Sequence, residues 1–191
     1  MRKHAKLLKI LGSAVAAALA MAVAAGAVPA TADHPEQFTG SLVNMVAGAR
    51  FSQPFILSID RYSSAADVQR FASTLSSTGA YSLVDELWRQ SAGYVSVGGR
   101  LGYPVSVVLA NETPAGRTIH VVMNRVLSPF EVQYYTRSSR YPFAVIELNL
   151  DKNGRGDGRL IAAARLRWQG DTLEIESLGN QPFRLLAVQT N

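Results

Sequence analysis

The chain contains no cysteine. Disulfide staples, thiolate metal sites and a lipid-bearing cysteine are therefore excluded. Histidine is nearly as scarce, with three in 191 residues, so a histidine-rich metal centre is excluded too. No Gly-x-Ser-x-Gly elbow occurs, and a Ser-His-Asp triad would have to draw on His120. The Gly98-Gly99 pair of GGRLG has no following Lys-Ser/Thr, so it reads as a turn and not a phosphate loop.

Lysine is confined to Lys3, Lys6, Lys9 and Lys152. With Arg2, the first three form a basic segment ahead of an Ala-rich apolar run from Ile10 to about Val28. Ala30-Thr31-Ala32 fits a small-x-small cleavage site. Residues 1–32 are expected to be a signal peptide, which places the protein outside the cytoplasm, in a periplasm or beyond the cell. Its removal takes away four cations and no acid, so the formal charge falls from +5 to +1. The high sequence pI belongs to the leader and gives no support to nucleic-acid binding. Membrane contact is expected only through the signal peptide during export.

Residues 33–48 carry weak signals and read as a partly mobile lead-in. Residues 49–191 read as a single β-rich domain. Phe55, Leu57 and Ile59 share one face of a first strand. Ser64 with Asp67 approximates a capping box for a helix over about 64–78, and a second helix follows over about 81–91. Beyond Tyr94 the pattern is β, interrupted by a helix start at Ser128-Pro129 that predicts a short helix to about Thr136. If Gln169-Gly170 forms a hairpin loop, Trp168 faces Asp171, Leu166 faces Leu173 and Arg165 faces Glu174. The fold class is mainly β: an antiparallel barrel or sandwich of about 7–8 strands, with an inserted helical hairpin and one further short helix. Sequential strands with short turns favour an up-and-down order.

Two stretches are candidate sites. Ser128 to Pro142 gathers Tyr134, Tyr135 and Tyr141 with Arg137 and Arg140, residue types that anchor interfaces and ligand rims. The plainer alternative is that the tyrosines cover the end of a sheet and the arginines are solvated. DKNGRGDGR, Asp151 to Arg159, could be a calcium loop, an adhesion tip at Arg155, Gly156 and Asp157, or a turn. Arg155 and Ala162 occupy positions where a calcium loop needs ligands, so the turn is favoured. His120 lies mid-strand on the face opposite Ile119 and Val121 and reads as a surface or groove residue. No catalytic residue, metal or cofactor is assigned.

Three stretches, SVGGRLGYP (Ser96–Pro104), YPFAVIELNLD (Tyr141–Asp151) and LGNQPFRLLAV (Leu178–Val188), resemble a family of exported bacterial proteins of unknown function. The resemblance implies no activity. The leading expectation is an exported soluble protein that binds a small apolar ligand in a barrel cavity or open end. The alternatives are a cell-envelope interaction or adhesion module acting through surface loops, with an envelope protein as partner, and a hydrolase using carboxylates.

Overall fold

Alternation in these strands is decided by which face each side chain meets, and two faces are in play. In the computed structural model, which describes residues 21–22, 35–44, 51–127, 140–169, 172–178 and 182–191, eleven strands and two helices follow one another. The strands are β1 (Met21–Ala22), β2 (Glu36–Asn44), β3 (Phe51–Ile59), β4 (Gly93–Val97), β5 (Tyr103–Val105), β6 (Val107–Thr113), β7 (Gly116–Met123), β8 (Phe143–Asp151), β9 (Arg155–Gln169), β10 (Thr172–Ser177) and β11 (Phe183–Thr190). The helices α1 (Ala65–Ser77) and α2 (Ala80–Leu87) lie between β3 and β4.

Nine strands form one antiparallel sheet in the order β5-β4-β3-β2-β11-β9-β8-β7-β6. Its two edge strands, β5 and β6, are separated in the chain by Ser106 alone. Ala92 N donates to Val105 O at 2.8 Å on one side of this run, and Ser106 N donates to Val122 O at 3.0 Å on the other. One stretch of backbone therefore serves both edges, and the sheet is nearly closed into a barrel. Chain neighbours are sheet neighbours almost throughout, which is the up-and-down order the sequence suggested. β10 pairs with the far end of β9, and β1 adds a two-residue bridge to β10. The rest of the predicted signal segment and its cleavage site, and the predicted helix over Ser128–Thr136, lie outside the described residues.

Cross-strand rows show how the wall is built. The inward row Val108–Val121–Ile146–Leu160 fills the barrel. The outward row beside it, Val107–Val122–Val145–Ile161, is equally apolar and sits under α1 and α2. Strands buried on both faces read as continuous apolar runs, and Phe143-Ala144-Val145-Ile146 is such a run. The helices contribute Phe71, Leu75, Leu83 and Leu87 to this second core. The capping box is present: Asp67 N donates to Ser64 Oγ at 3.1 Å and Ser64 N to Asp67 Oδ2 at 3.2 Å. Glu86 ties the hairpin together, accepting from Arg70 Nε at 2.8 Å and Thr74 Oγ1 at 2.7 Å.

Three expectations are corrected. The lead-in contains β2, a strand paired along its full length with β3, and Phe38 and Leu42 are wholly buried in the barrel. Its inward positions read Glu36, Phe38, Gly40, Leu42, and the glycine breaks the alternation. A Cβ at Gly40 would stand 3.0 Å from Leu186 O on β11, tighter than an ordinary contact, which disfavours a larger residue there. The second helix stops at Leu87, short of residue 91, with Trp88 as its C-cap. The β9–β10 register places Trp168 opposite Leu173, Leu166 opposite Ile175, and Arg165 opposite Glu176. That is a two-residue slip from the expected pairing, which leaves every side chain on its own face; alternation alone does not distinguish the two registers.

β9 runs between β8 and β11, and Gly156 faces Leu150 on one side and Val188 on the other. A Cβ at Gly156 would collide with the Asn149 carbonyl oxygen. Gly156→Ala is therefore expected to lower unfolding free energy by about 1–3 kcal/mol, read as a reduced midpoint in urea with unchanged slope.

Candidate functional site

Three places in the described structure concentrate chemistry or space. The first is a cleft of about 60 Å³ between the helical hairpin and the outside of the barrel. α1 offers Val68, Phe71, Ala72 and Leu75, spaced to form one helical stripe. α2 adds Leu83 and Leu87, and the wall opposite supplies Val107, Leu109, Val122, Leu166, Trp168 and Leu173. Every lining residue is apolar. The expected barrel cavity is occupied instead by Phe38, Phe55, Ile119, Met123 and Ile146, all essentially inaccessible. One end of the barrel has an opening of about 170 Å³, where Phe51, Val97, Tyr103 and Leu127 mix with Gln53 and Arg100.

The second place is a polar row on the outer wall, Leu109–His120–Glu147–Arg159. Glu147 accepts from Arg159 Nη2 at 3.0 Å and from Asn149 Nδ2 at 3.1 Å, with His120 Nε2 at 3.5 Å. Burial pushes the Glu147 carboxyl up, but the His120 and Asn149 contacts and the Arg159 charge outweigh it and hold the group below its ordinary value. His120 lies on the face the sequence assigned, yet it is only 6% exposed, and its Nδ1 is buried without a hydrogen-bond partner among the described residues. Arg159 and the neighbouring amide make Glu147 a fixed anion, suited to orienting the imidazole.

The third place closes the barrel end where Glu36 and Arg117 occupy inward positions, in phase with Phe38 and Ile119. Arg117 grips both carboxylate oxygens of Glu36, with Nη1 at 3.2 Å from Oε1 and Nη2 on Oε2. Its guanidinium also stacks on the Phe38 ring at 5.4 Å. Tyr62 donates to Glu36 Oε1 at 3.3 Å, and burial together with the Glu36 charge pushes its phenol far above the ordinary tyrosine value. With its polar groups paired and the phenol held in its neutral form, this cluster acts as a plug. Among the described residues, no three His, Asp or Glu side chains are grouped to hold a metal ion.

The sequence candidates are dispersed. Tyr134, Tyr135 and Arg137 lie outside the described residues. Arg140 is exposed. The Tyr141 hydroxyl donates to Glu176 Oε1 at 2.6 Å, fastening β10 to the approach to β8, and this bond raises its pKa. Arg155, Gly156 and Asp157 open β9 directly after the turn, and Asp157 Oδ1 accepts from Ala187 N at 3.1 Å. Ala187 has φ 51° at the β11 bulge, so the carboxylate satisfies an amide that the bulge withdraws from the ladder. The turn itself is made by Asp151, whose Oδ1 accepts from Asn153 N at 2.8 Å and Arg155 N at 2.9 Å. Those backbone bonds hold its carboxyl below the usual range.

Sequence reasoning missed the cleft, although its helical stripe was visible. The missing information was which strand positions face the hairpin. No family model matches the chain, and neither a curated protein nor a solved structure proves similar to it.

Two outcomes follow from the charged clusters. Arg117→Met leaves Glu36 without its counter-ion and is expected to cost about 3 kcal/mol, whereas Glu36→Leu with Arg117→Met restores most of that loss, measured by chemical denaturation. Because the folded-state pKa of Glu147 is depressed, its contribution is present above the unfolded value of about 4.3. It is lost as pH falls through the lower folded value. Glu147→Gln should therefore flatten the acid limb of the stability–pH curve.

Proposed function

We propose that the protein is an exported binding protein for a slender apolar ligand, held between the helical hairpin and the barrel wall. The supporting observation is the cleft lined solely by apolar side chains, with Trp168 on its wall and Ala72 at its roof. Such a lining selects by exclusion of water and by shape, without polar groups to fix a headgroup. Its volume of about 60 Å³ is well under the ~150 Å³ of an apolar cavity that accepts benzene. The ligand is accordingly an unbranched chain entering by its end, and not a ring system. Export rests on the leader pattern, and the likeness to exported bacterial proteins on the three stretches quoted above.

The competing readings have less support. Asp157, the acidic member of the proposed adhesion tripeptide, is committed to the Ala187 amide. Glu147 and Glu36, the least exposed of the paired carboxylates described above, are each neutralised by an arginine. A hydrolase working through this pair would need a second carboxyl within reach of each, and none is recorded beside Glu147 or Glu36 among the described residues.

The test is binding of a brominated long-chain fatty acid, read by quenching of Trp168 in a Trp88→Phe background. Ala72→Leu fills the cleft and is expected to weaken binding at least tenfold while leaving the melting temperature unchanged or raised. Undiminished affinity in that variant, or no quenching of Trp168 at any chain length, would remove the cleft as the site.

A further inference from the structure

The two ends of the barrel are finished differently. At one, Glu36, Arg117 and Tyr62 pair their polar groups with one another. At the other, an opening of about 170 Å³ remains. Val97 and Leu127, 6% and 0% exposed, are the deepest part of its lining. Phe51 and Tyr103 are half-buried and pack against the barrel core, so their rings border the space above. Gln53 stands on β3 in phase with Phe51 and Phe55, an amide at an inward position where an apolar residue is expected. A Cβ at Gly98 would lie 2.7 Å from Gln53 Oε1, so the bare turn leaves that amide its place. Among the described residues, no hydrogen bond reaches the Gln53 amide group.

Arg100 lines the same opening, and its backbone is fixed there. Gly98 N donates to Pro54 O at 2.8 Å, Arg100 N to Val97 O at 3.4 Å, and Ser96 Oγ to Arg100 O at 2.6 Å. The Arg100 side chain is exposed and enters no ion pair among the described residues. Arg125 brings a second guanidinium to within 5.0 Å of the Tyr103 ring centroid. No acidic side chain is in the lining. On the adjoining strands the acids lie at the far end: Glu36 faces Ile59, which pairs with Gly93, and Asp60 follows it. The mouth is therefore apolar within, amide-bearing on one side and cationic at the rim.

We propose that this end of the barrel is a second binding site, for a monocyclic aromatic carboxylate whose ring enters beside Phe51 and Tyr103 and whose carboxylate meets Arg100. An apolar cavity of ~150 Å³ accepts benzene, so a single ring with a small substituent matches about 170 Å³. Aromatic side chains receive such a ring edge-to-face or offset. The guanidinium is a planar fork that fits a carboxylate. The Gln53 amide carries both a donor and an acceptor, which suits a carboxylate oxygen or a ring hydroxyl. A plain hydrocarbon chain would leave Gln53 and Arg100 unused, which separates this site from the apolar cleft. The two sites lie on opposite faces of the barrel wall, and neither reading depends on the other.

The test is a titration of the protein with benzoate, followed by amide NMR, with benzyl alcohol as the uncharged analogue of the same ring. Benzoate should shift the amide resonances of Gln53, Gly98, Arg100 and Tyr103 and bind at least about tenfold more tightly than the alcohol. Arg100→Gln alters an exposed side chain. It should reduce benzoate affinity to that of the alcohol and leave the alcohol's affinity unchanged, which also shows that the opening keeps its shape. Ala72→Leu, which fills the cleft, should leave benzoate binding as it was. Unmoved amides at millimolar benzoate overturn the proposal. So does equal affinity for the acid and the alcohol, or undiminished benzoate affinity in Arg100→Gln. Loss of benzoate binding in Ala72→Leu would put the ligand in the cleft and overturn it as well. Quenching of Trp168 by brominated fatty acid reads the cleft separately.

Discussion

The structure depends on one wall being buried from both sides. Along β6, β7, β8 and β9 the inward row Val108–Val121–Ile146–Leu160 and the outward row Val107–Val122–Val145–Ile161 lie next to each other. The first row fills the barrel and the second carries the helical hairpin. Burying a side chain of this size contributes about 1.5–3 kcal/mol, so each row is a substantial share of the stability of its own core. Neither core is independent, because each backbone segment between the rows holds both. Loss of the hairpin would leave a broad apolar strip on the barrel exterior, and loss of barrel packing would misplace the floor of the cleft.

The same geometry limits where the hairpin can sit. Moving along the outer face, the row after Val107–Val122–Val145–Ile161 is Leu109–His120–Glu147–Arg159, and the next is Asn111–Thr118–Asn149–Asp157. Polarity rises in two steps of one row each. Helices with Phe71, Leu75, Leu83 and Leu87 facing the sheet gain on the first row and would bury unpaired charge on the second. Leu109 lines the cleft from within the second row, and His120 is its immediate neighbour, almost wholly buried. The hairpin therefore stops where apolar surface gives way to charge, and that boundary is the edge of the cleft.

Much of this could be read in the sequence. The capping box at Ser64 and Asp67, the stripe on α1, the strand succession and the up-and-down order all follow from local pattern. A barrel could not be distinguished from a sandwich, because closure depends on Ser106 separating two strand segments that pair on opposite sides. Tyr103–Val105 and Val107–Thr113 read in sequence as one strand over Tyr103–Ala110. β2 was illegible for a different reason. Glu36 and Gly40 stand at inward positions where an apolar residue is expected, the first because it binds Arg117 and the second because β11 comes too close. The cleft was half legible: the helix contributes a recognisable stripe, but Leu109, Val122, Leu166 and Trp168 converge only through register. The two-residue error at β9–β10 has the same origin, since a slip of two preserves every face.

The leftover polarity of His120 then becomes intelligible. Its Nε2 faces the Glu147 carboxylate, which is acceptor-only when ionised, so that nitrogen carries the proton. In that tautomer Nδ1 is an acceptor, buried with no donor on it among the described residues. Leaving such an atom unsatisfied costs about 1–3 kcal/mol, an expense that a leucine at this position would avoid. Leucine would, however, strip Glu147 of one contact and extend the apolar outer row toward Asn149. His120 is half apolar in body and polar at its edge, so it can border Leu109 on one side and Glu147 on the other. His120 thus borders the apolar cover on the Leu109 side and the charged row on the Glu147 side.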